Sequence, residues 1–359
     1  MLNREISFPT QLRSFDLARR WILVVGVLGG IASCKSTSAS GQDSAVLLDA
    51  GDALPDLLTC RNSGPPTSIG CNSWSAGGSV GKLPLPALNE VSGLVVSRKN
   101  PGIVWMHNDS GDTARVFAVS VTTPGSPQLV ATYKLTGVTA DDWEDIAIGP
   151  ASGRSGDFLY LGDIGNNFNR VPQRTSLQVY RIPEPTVDST KTGQLFDIAG
   201  AERIDLQYPD GKNYDCEALL VDPQTAELLF ITKNLFAGPS YVFRAPAVAT
   251  PGATITLQGI TDCSGSLRPL TFPERELPAV TGADVSAQGT AIIVRAYSGV
   301  FLWNRAPGES IADSLSHEPC KLPMASEPQG EAVGITPDGA RYFTVSEGAA
   351  ADIHVFDKK

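Results

Sequence analysis

Apolar positions in this chain gather in short runs rather than at helical spacing. An acidic or small polar residue leads into an apolar run at 92–96, 144–148, 217–221, 283–286 and 331–335. After each run comes a turn signal, such as Asn100-Pro101-Gly102 or Pro337-Asp338-Gly339. A second run then follows, rich in β-branched and aromatic side chains, at 103–106, 158–161, 228–232, 291–294 and 341–345. Runs of this kind, bounded by Gly, Pro and Asp, predict strands. A third set lies at 116–119, 178–182, 241–244, 300–303 and 353–356, and a fourth stands ahead of each first strand, at 82–85, 132–135, 203–207, 270–272 and 321–323. The predicted unit is four antiparallel strands, five times over, and radially repeated four-stranded sheets make a β-propeller. The strand at 82–85 would complete the last blade, whose own chain runs out after its third strand. The expectation is thus an all-β propeller of five blades closed by an N-terminal strand. A β-sandwich or a pair of small β-domains is the competing fold, and the 73 residues between Glu144 and Glu217 leave room for part of a sixth blade.

Ahead of the repeats the pattern changes. Arg13, Arg19 and Arg20 precede an apolar run at 21–32 that ends in Ile31-Ala32-Ser33-Cys34. A basic start, a short apolar stretch and small residues predict a secretory signal, too short to span a bilayer. The last four residues resemble the bacterial lipobox, which implies that Cys34 is lipidated and becomes the mature N-terminus. Arg19-Arg20 also suggests twin-arginine export, though a general secretory signal fits better. Residues 34–81 are rich in Ser, Gly and Asp without periodicity, as a tether would be. The expected organisation is a signal over 1–33, a tether over 34–81 and a propeller over 82–359. The stretch Gly77-Gly78-Ser79-Val80-Gly81-Lys82 mimics a nucleophile elbow or a phosphate loop, but no strand is predicted before it, no helix after it, and Leu83 replaces the required hydroxyl residue.

Composition narrows the function. With 359 residues, 42% of them apolar, the chain can bury a large core. A net charge of −10 argues against nucleic acid as a partner, since no basic stripe exists to displace phosphate counterions. Removing residues 1–33 takes away four basic and two acidic side chains, so the remainder is more acidic still.

Antiparallel geometry says where that acidity goes. In a four-strand meander the start of the first strand and the end of the second share one face. The first set of corners carries Asn89, Glu90, Asp141, Asp142, Glu144, Asp145, Asp215, Glu217, Asp284, Glu327, Gln329 and Glu331. The second carries His107 to Asp112, Asp163, Asn166, Asn167, Lys233, Asn234, Arg295, Tyr297 and Glu347. The opposite corners are bland turns. Asp and Asn at strand ends also make Asx turns, but a whole ring of them at one channel mouth predicts a ligand site. Glutamates crowded in a channel must share protons, pair with cations or bind a metal. Oxygen ligands without Cys or clustered His point to Ca²⁺, with Glu144, Glu217, Asp284 and Glu331 as candidate ligands. Lys233 and Arg295 offer the alternative of direct ion pairing. Candidates for catalysis are His107, Asp109, Glu144, Asp163, Glu217, Lys233 and Arg295. Asn108, Asp142, Asn166, Tyr297, Glu331 and Glu347 are candidates for binding. His107 could equally be a hydrogen-bonded structural histidine.

Setting Cys34 aside, an exported chain would keep disulfides. Cys60 with Cys71 and Cys263 with Cys320 are the expected pairs, leaving Cys216 as a buried thiol. Several phrases resemble a family of exported bacterial β-propeller-like proteins of uncharacterised function: Glu90-Val91-Ser92-Gly93-Leu94, His107-Asn108-Asp109-Ser110-Gly111, Asp142-Trp143-Glu144-Asp145-Ile146-Ala147, Gly162-Asp163-Ile164-Gly165-Asn166-Asn167 and Gly330-Glu331-Ala332-Val333. The resemblance covers about 83–359. It implies the fold and the exported setting but no reaction, and Asn166 replaces the family's second Asp in its loop. The reading from sequence is a monomeric, lipid-anchored propeller of the bacterial cell envelope. Its acidic mouth would bind a small molecule, glycan or protein, with Ca²⁺ as the candidate cofactor; the alternative is a hydrolase of phosphate esters, esters or glycans.

Overall fold

A computed structural model describes residues 71–359, apart from 85, 168–169, 210, 236–237, 248–251, 271 and 273–278. These residues belong to the unit Thr59–Lys359. The signal, Cys34, Cys60 and most of the expected tether lie outside the described residues.

Strand β1 (Gly78–Lys82) opens the described fold. The first blade is β2 (Val91–Val96), β3 (Ile103–Asn108), β4 (Arg115–Ser120) and β5 (Gln128–Leu135); the second begins with β6 (Trp143–Pro150), β7 (Asp157–Asp163) and β8 (Leu177–Pro183). Next comes β9 (Gln194–Ile198), which pairs in parallel with β5 at the rim of the first blade. The chain then returns to complete the second with β10 (Glu202–Gln207). This excursion accounts for the long interval before Glu217, and the described residues there form no sixth blade.

The third blade is β11 (Cys216–Val221), β12 (Leu228–Thr232) and β13 (Val242–Ala245). Strand β14 (Ile255–Thr256) adds in parallel to β10, and β15 (Gln258–Gly259) is the fourth strand of the third blade. The sequence placed that strand at 270–272; Leu270 instead donates its N–H to Ser240 O in an irregular stretch beyond it. The fourth blade is β16 (Val280–Val285), β17 (Ala291–Ala296), β18 (Gly299–Asn304) and, after the single-turn helix α1 (Ile311–Ser314), β19 (Cys320–Leu322). The fifth is β20 (Gly330–Ile335), β21 (Arg341–Ser346) and β22 (Asp352–Asp357), with β1 pairing antiparallel to β22. The closing strand thus starts four residues ahead of its expected position. Among the described residues no helix is long and apolar enough to cross a membrane.

The inner strands β2, β6, β11, β16 and β20 contact one another in a closed ring. They are buried on both faces, save Pro150, and their small residues permit the close approach. Gly334 of β20 lies against Leu94 of β2, so that a Cβ there would overlap the leucine. Five apolar clusters fill the interfaces between blades. One joins Trp105 and Val95 to Ile146 and Leu159, and its counterpart across the closure joins Leu94 and Phe117 to Phe343 and Val345. Burial on this scale is the main favourable term for the fold.

Cys71 is bonded to Cys320, 249 residues away, fastening the segment ahead of β1 to the rim of the fourth blade. Neither expected pairing holds, because closure brings the N-terminal segment beside β19 rather than leaving it free. Cys263 is also disulfide-bonded, and Cys216 is a buried free thiol.

Candidate functional site at the channel mouth

Each inner strand opens with the same irregularity. The register slips between Val91 and Gly93, Trp143 and Asp145, Cys216 and Ala218, Val280 and Gly282, and Gly330 and Ala332. A bulge inserts one residue and re-aims its side chain. The five bulged residues are Ser92, Glu144, Glu217, Thr281 and Glu331, a ring of two hydroxyls and three carboxyls. Ser92 Oγ donates to Glu144 O at 2.7 Å and Thr281 Oγ1 to Glu331 O at 3.0 Å, so the hydroxyls stitch neighbouring blades together.

The glutamates differ from one another. Glu217 accepts an ion pair from Lys233 Nζ at 3.0 Å. Glu331 accepts from Tyr297 OH at 2.6 Å through Oε1, while its buried Oε2 has no hydrogen-bond partner among the described residues. The Tyr297 ring lies 5.1 Å from Lys233 Nζ, linking the two. Glu144, 3% exposed, has neither a hydrogen bond nor an ion pair to its carboxylate among the described residues.

Glu144 is also the shared member of two carboxylate groups. Ligand oxygens of Asp109, Asp142 and Glu144 lie within 4.8 Å of one another, as do those of Glu144, Asp215 and Glu217. Gly165 makes room for the first: a Cβ there would overlap Glu144 Oε1 and come 2.7 Å from Asp142 Oδ2. Asp163 holds the surrounding loop, accepting from the N–H of Asp141 and Asp142 at 3.2 and 3.1 Å and pairing with Arg174 at 2.6 Å. Arg170 reaches Asp142 at 3.4 Å and Asp141 at 2.5 Å. Beside this loop a cleft of about 380 Å³ is lined by Asp141, Arg170, Gln173 and Gln178, next to the mouth rather than in it.

This crowding disfavours charge. Burial first, then Glu217, Asp109 and Asp142, push the Glu144 carboxyl well above its ordinary range. Burial and the Asp109 charge raise Asp142 to about 6, and burial with Glu331 raises Glu347 to about 8. Burial works against the Lys233 ammonium, but Glu217 and Glu331 outweigh it and raise its pKa.

Other candidates lie elsewhere. His107 sits between the first two blades, edge-on to Trp143, and burial lowers its pKa to about 4, so it is a neutral packing residue away from the carboxylates. Arg295 occupies the matching position between the fourth and fifth blades, pairing with Glu327 at 2.6 Å. Asn108 donates to Ala87 O and Asp112 Oδ2, both at 2.8 Å, and so ties a loop. Asn166 accepts from Arg174 N through Oδ1 and donates its own N–H to Asp215 Oδ1, both at 2.9 Å, positioning that carboxylate. Asp284 is deeper in the channel and belongs to neither group: it accepts from Val285 N and Ile335 N, both at 2.8 Å. Glu331 is likewise in neither. Asp109 and Asp142 are sequence candidates for catalysis and binding rather than for a metal, and Asp215, which the sequence also places at the mouth, is a candidate for none of these roles.

The far end of the channel is filled. Arg98, in the turn just beyond β2, pairs with Asp157 at 3.0 Å and reaches Val285 O at 3.4 Å. Between that plug and the mouth, Asp145 accepts from Ile146 N, Leu219 N and Ala283 N at 2.9, 2.9 and 3.1 Å. Among the described residues, Glu144 at the mouth has no such donor.

No protein-family model matches the chain, and no curated protein matches its sequence. Its fold is similar to that of a PQQ-bound aldose sugar dehydrogenase from Streptomyces coelicolor, 13% identical over 82% of this chain and 100% of that one, with a TM-score of 0.44. It is also similar to a gluconolactonase from Xanthomonas campestris, at 11% identity over 75% and 72% with a TM-score of 0.39. A carbohydrate-active enzyme of family AA12 from Trichoderma reesei shows 10% identity over 80% and 97%, with a TM-score of 0.42. At these identities the likeness concerns strand arrangement and carries no chemistry.

Proposed function

We propose that the mouth holds a divalent metal ion, Ca²⁺ by its chemistry, and through it binds an oxygen-bearing ligand. What carries the reading is Glu144, a buried carboxylate with no donor among the described residues, set between further carboxylates. Both groups offer oxygen alone, without His or Cys, the donor set of a hard cation. Asp109, Asp142 and Glu144 would hold the ion. Three carboxylates leave coordination positions open, and Ca²⁺ there would attract ligand oxygens. The setting we propose is the bacterial cell envelope, with the chain exported and anchored as a monomer by lipid on Cys34. Disulfides agree with an oxidising compartment, and a Cys34→Ala chain that still incorporated labelled fatty acid would remove the anchor.

Thermal unfolding in Ca²⁺ and in chelator tests the site. We expect Ca²⁺ to raise the midpoint of wild type and leave Glu144→Gln unmoved; equal midpoints for wild type in both conditions would end the metal reading. The Lys233–Glu217 pair favours a second reading, a hydrolase in which these groups move a proton beside the polarised bond. A screen of phosphate esters, esters and glycans against wild type and Glu144→Gln/Glu217→Gln decides it. Turnover present in wild type and lost in the double variant supports hydrolysis; none in either leaves binding.

A further inference from the structure

The two carboxylate groups that share Glu144 are not equivalent. On one side, Asp109 forms no ion pair among the described residues, and Asp142 has only the Arg170 guanidinium at 3.4 Å. On the other, Lys233 is driven into the group. Its side chain is 8% exposed, Nζ is 3.0 Å from Glu217 Oε1, and its backbone N–H donates to the backbone carbonyl of Asp215 at 2.8 Å. Tyr297 faces the ammonium at 5.1 Å and is itself fixed by Glu331. A compact buried ammonium among carboxylate oxygens takes the electrostatic place of a metal ion.

We propose that Lys233 is the resident cation of the group formed by Glu144, Asp215 and Glu217, so that the mouth has room for two adjacent divalent cations and the chain's own ammonium fills one of the places. This rests on the metal reading above. It makes the mouth a one-metal site and places a second, fixed positive group against any oxygen-bearing ligand that the ion carries. Glu144, unpartnered among the described residues and common to both groups, is the carboxylate that would lie between ion and ammonium. Removing the ammonium leaves Glu217 buried and uncompensated, a state that calls for another cation.

The test is a count of bound Ca²⁺ per full chain, by equilibrium dialysis with radiolabelled Ca²⁺, for wild type, Lys233→Met, Lys233→Gln and Lys233→Arg. The expected counts are one for wild type and Lys233→Arg, and two for the Met and Gln variants. Lys233→Gln keeps a hydrogen-bond donor near Glu217 without the charge, so it reports even where the Met variant does not fold. Folded neutral variants that still bind one ion would overturn the assignment of Lys233 while leaving the metal site standing. Two ions in wild type would overturn it as well. No ion in wild type would instead remove the metal reading, and this inference with it.

Discussion

Glu144 and Asp145 are adjacent on one strand and both buried, yet the fold treats them oppositely. Asp145 receives three backbone N–H groups, two of them from the inner strands of the third and fourth blades. Glu144, turned by the bulge into the mouth, receives none among the described residues. Asp284, deeper in the channel like Asp145, receives two. Burial penalises all these carboxyls, and in the deep pair it is offset by donors the ring itself supplies. A buried carboxylate with donors is a fastener between blades; one without them is a place for a cation or a proton.

The largest effect should come from Asp145. Asp145→Ala leaves buried N–H groups on three strands without acceptors, and the expected loss is about 3 kcal/mol or more in urea unfolding. Asp145→Asn retains an acceptor oxygen and should lose less. Glu144→Ala, measured in chelator, should stay within about 1 kcal/mol, since no donor is stranded. Equal losses for the two alanine variants would break the distinction.

Metal affinity should show the reverse order. Glu144→Gln is expected to weaken Ca²⁺ binding by about 100-fold or more, the top of the range for altering only a ligand's supporting partners. Asp145→Asn should bind Ca²⁺ as wild type does, read by calorimetric titration. Asp284→Ala comes next, with about 2 kcal/mol of stability lost for its two stranded donors and Ca²⁺ affinity unchanged. A drop in affinity there would return Asp284 to the ligand set that the sequence suggested.

That suggestion shows what the repeat made legible and what it did not. Short apolar runs with turn signals place nearly every strand of the blades, because inner strands buried on both faces must be mostly apolar. The rim strands escape this logic. Three of the five residues of β9 are exposed, with Leu195 at 80%, and β15 has only two residues, so neither carries a pattern. Bulges are equally silent. Aligning Asp284 with Glu217 and Glu331 by its acidity is natural, but the register places Thr281 at that position and Asp284 farther in. His107 and Arg295 stand at the ends of second strands as expected, yet their side chains turn between blades, whereas Tyr297, two residues beyond Arg295, reaches Lys233. Whether a side chain turns inward or sideways depends on the neighbouring blade, which local sequence does not contain.

The smallest expected effect sharpens the comparison by pH. Asp142, Asp284 and Glu347 are raised to about 6, 7 and 8 in the folded chain, against about 4 when unfolded. Between those values the folded state keeps protons that the unfolded state has lost, so stability falls as pH rises. Carboxyls held below their ordinary range, such as Asp141 beside Arg170, act in the opposite sense in more acidic solution; buried His107, lowered to about 4, also opposes the decline up to about pH 6.5, one group against the three raised carboxyls. The unfolding midpoint in chelator should therefore decline from pH 5 to pH 8.5. Ca²⁺ binds the ionised carboxylates of the mouth, so it should flatten the portion of the slope owed to Asp142. It should leave the portion owed to Asp284, whose neighbours are Asp145, Arg98 and backbone donors. Asp284→Asn should remove that remaining portion with or without Ca²⁺. A midpoint in chelator that climbs over this range would mean that the mouth carboxyls are already ionised and compensated, and the contrast between Glu144 and Asp145 would lose its electrostatic basis.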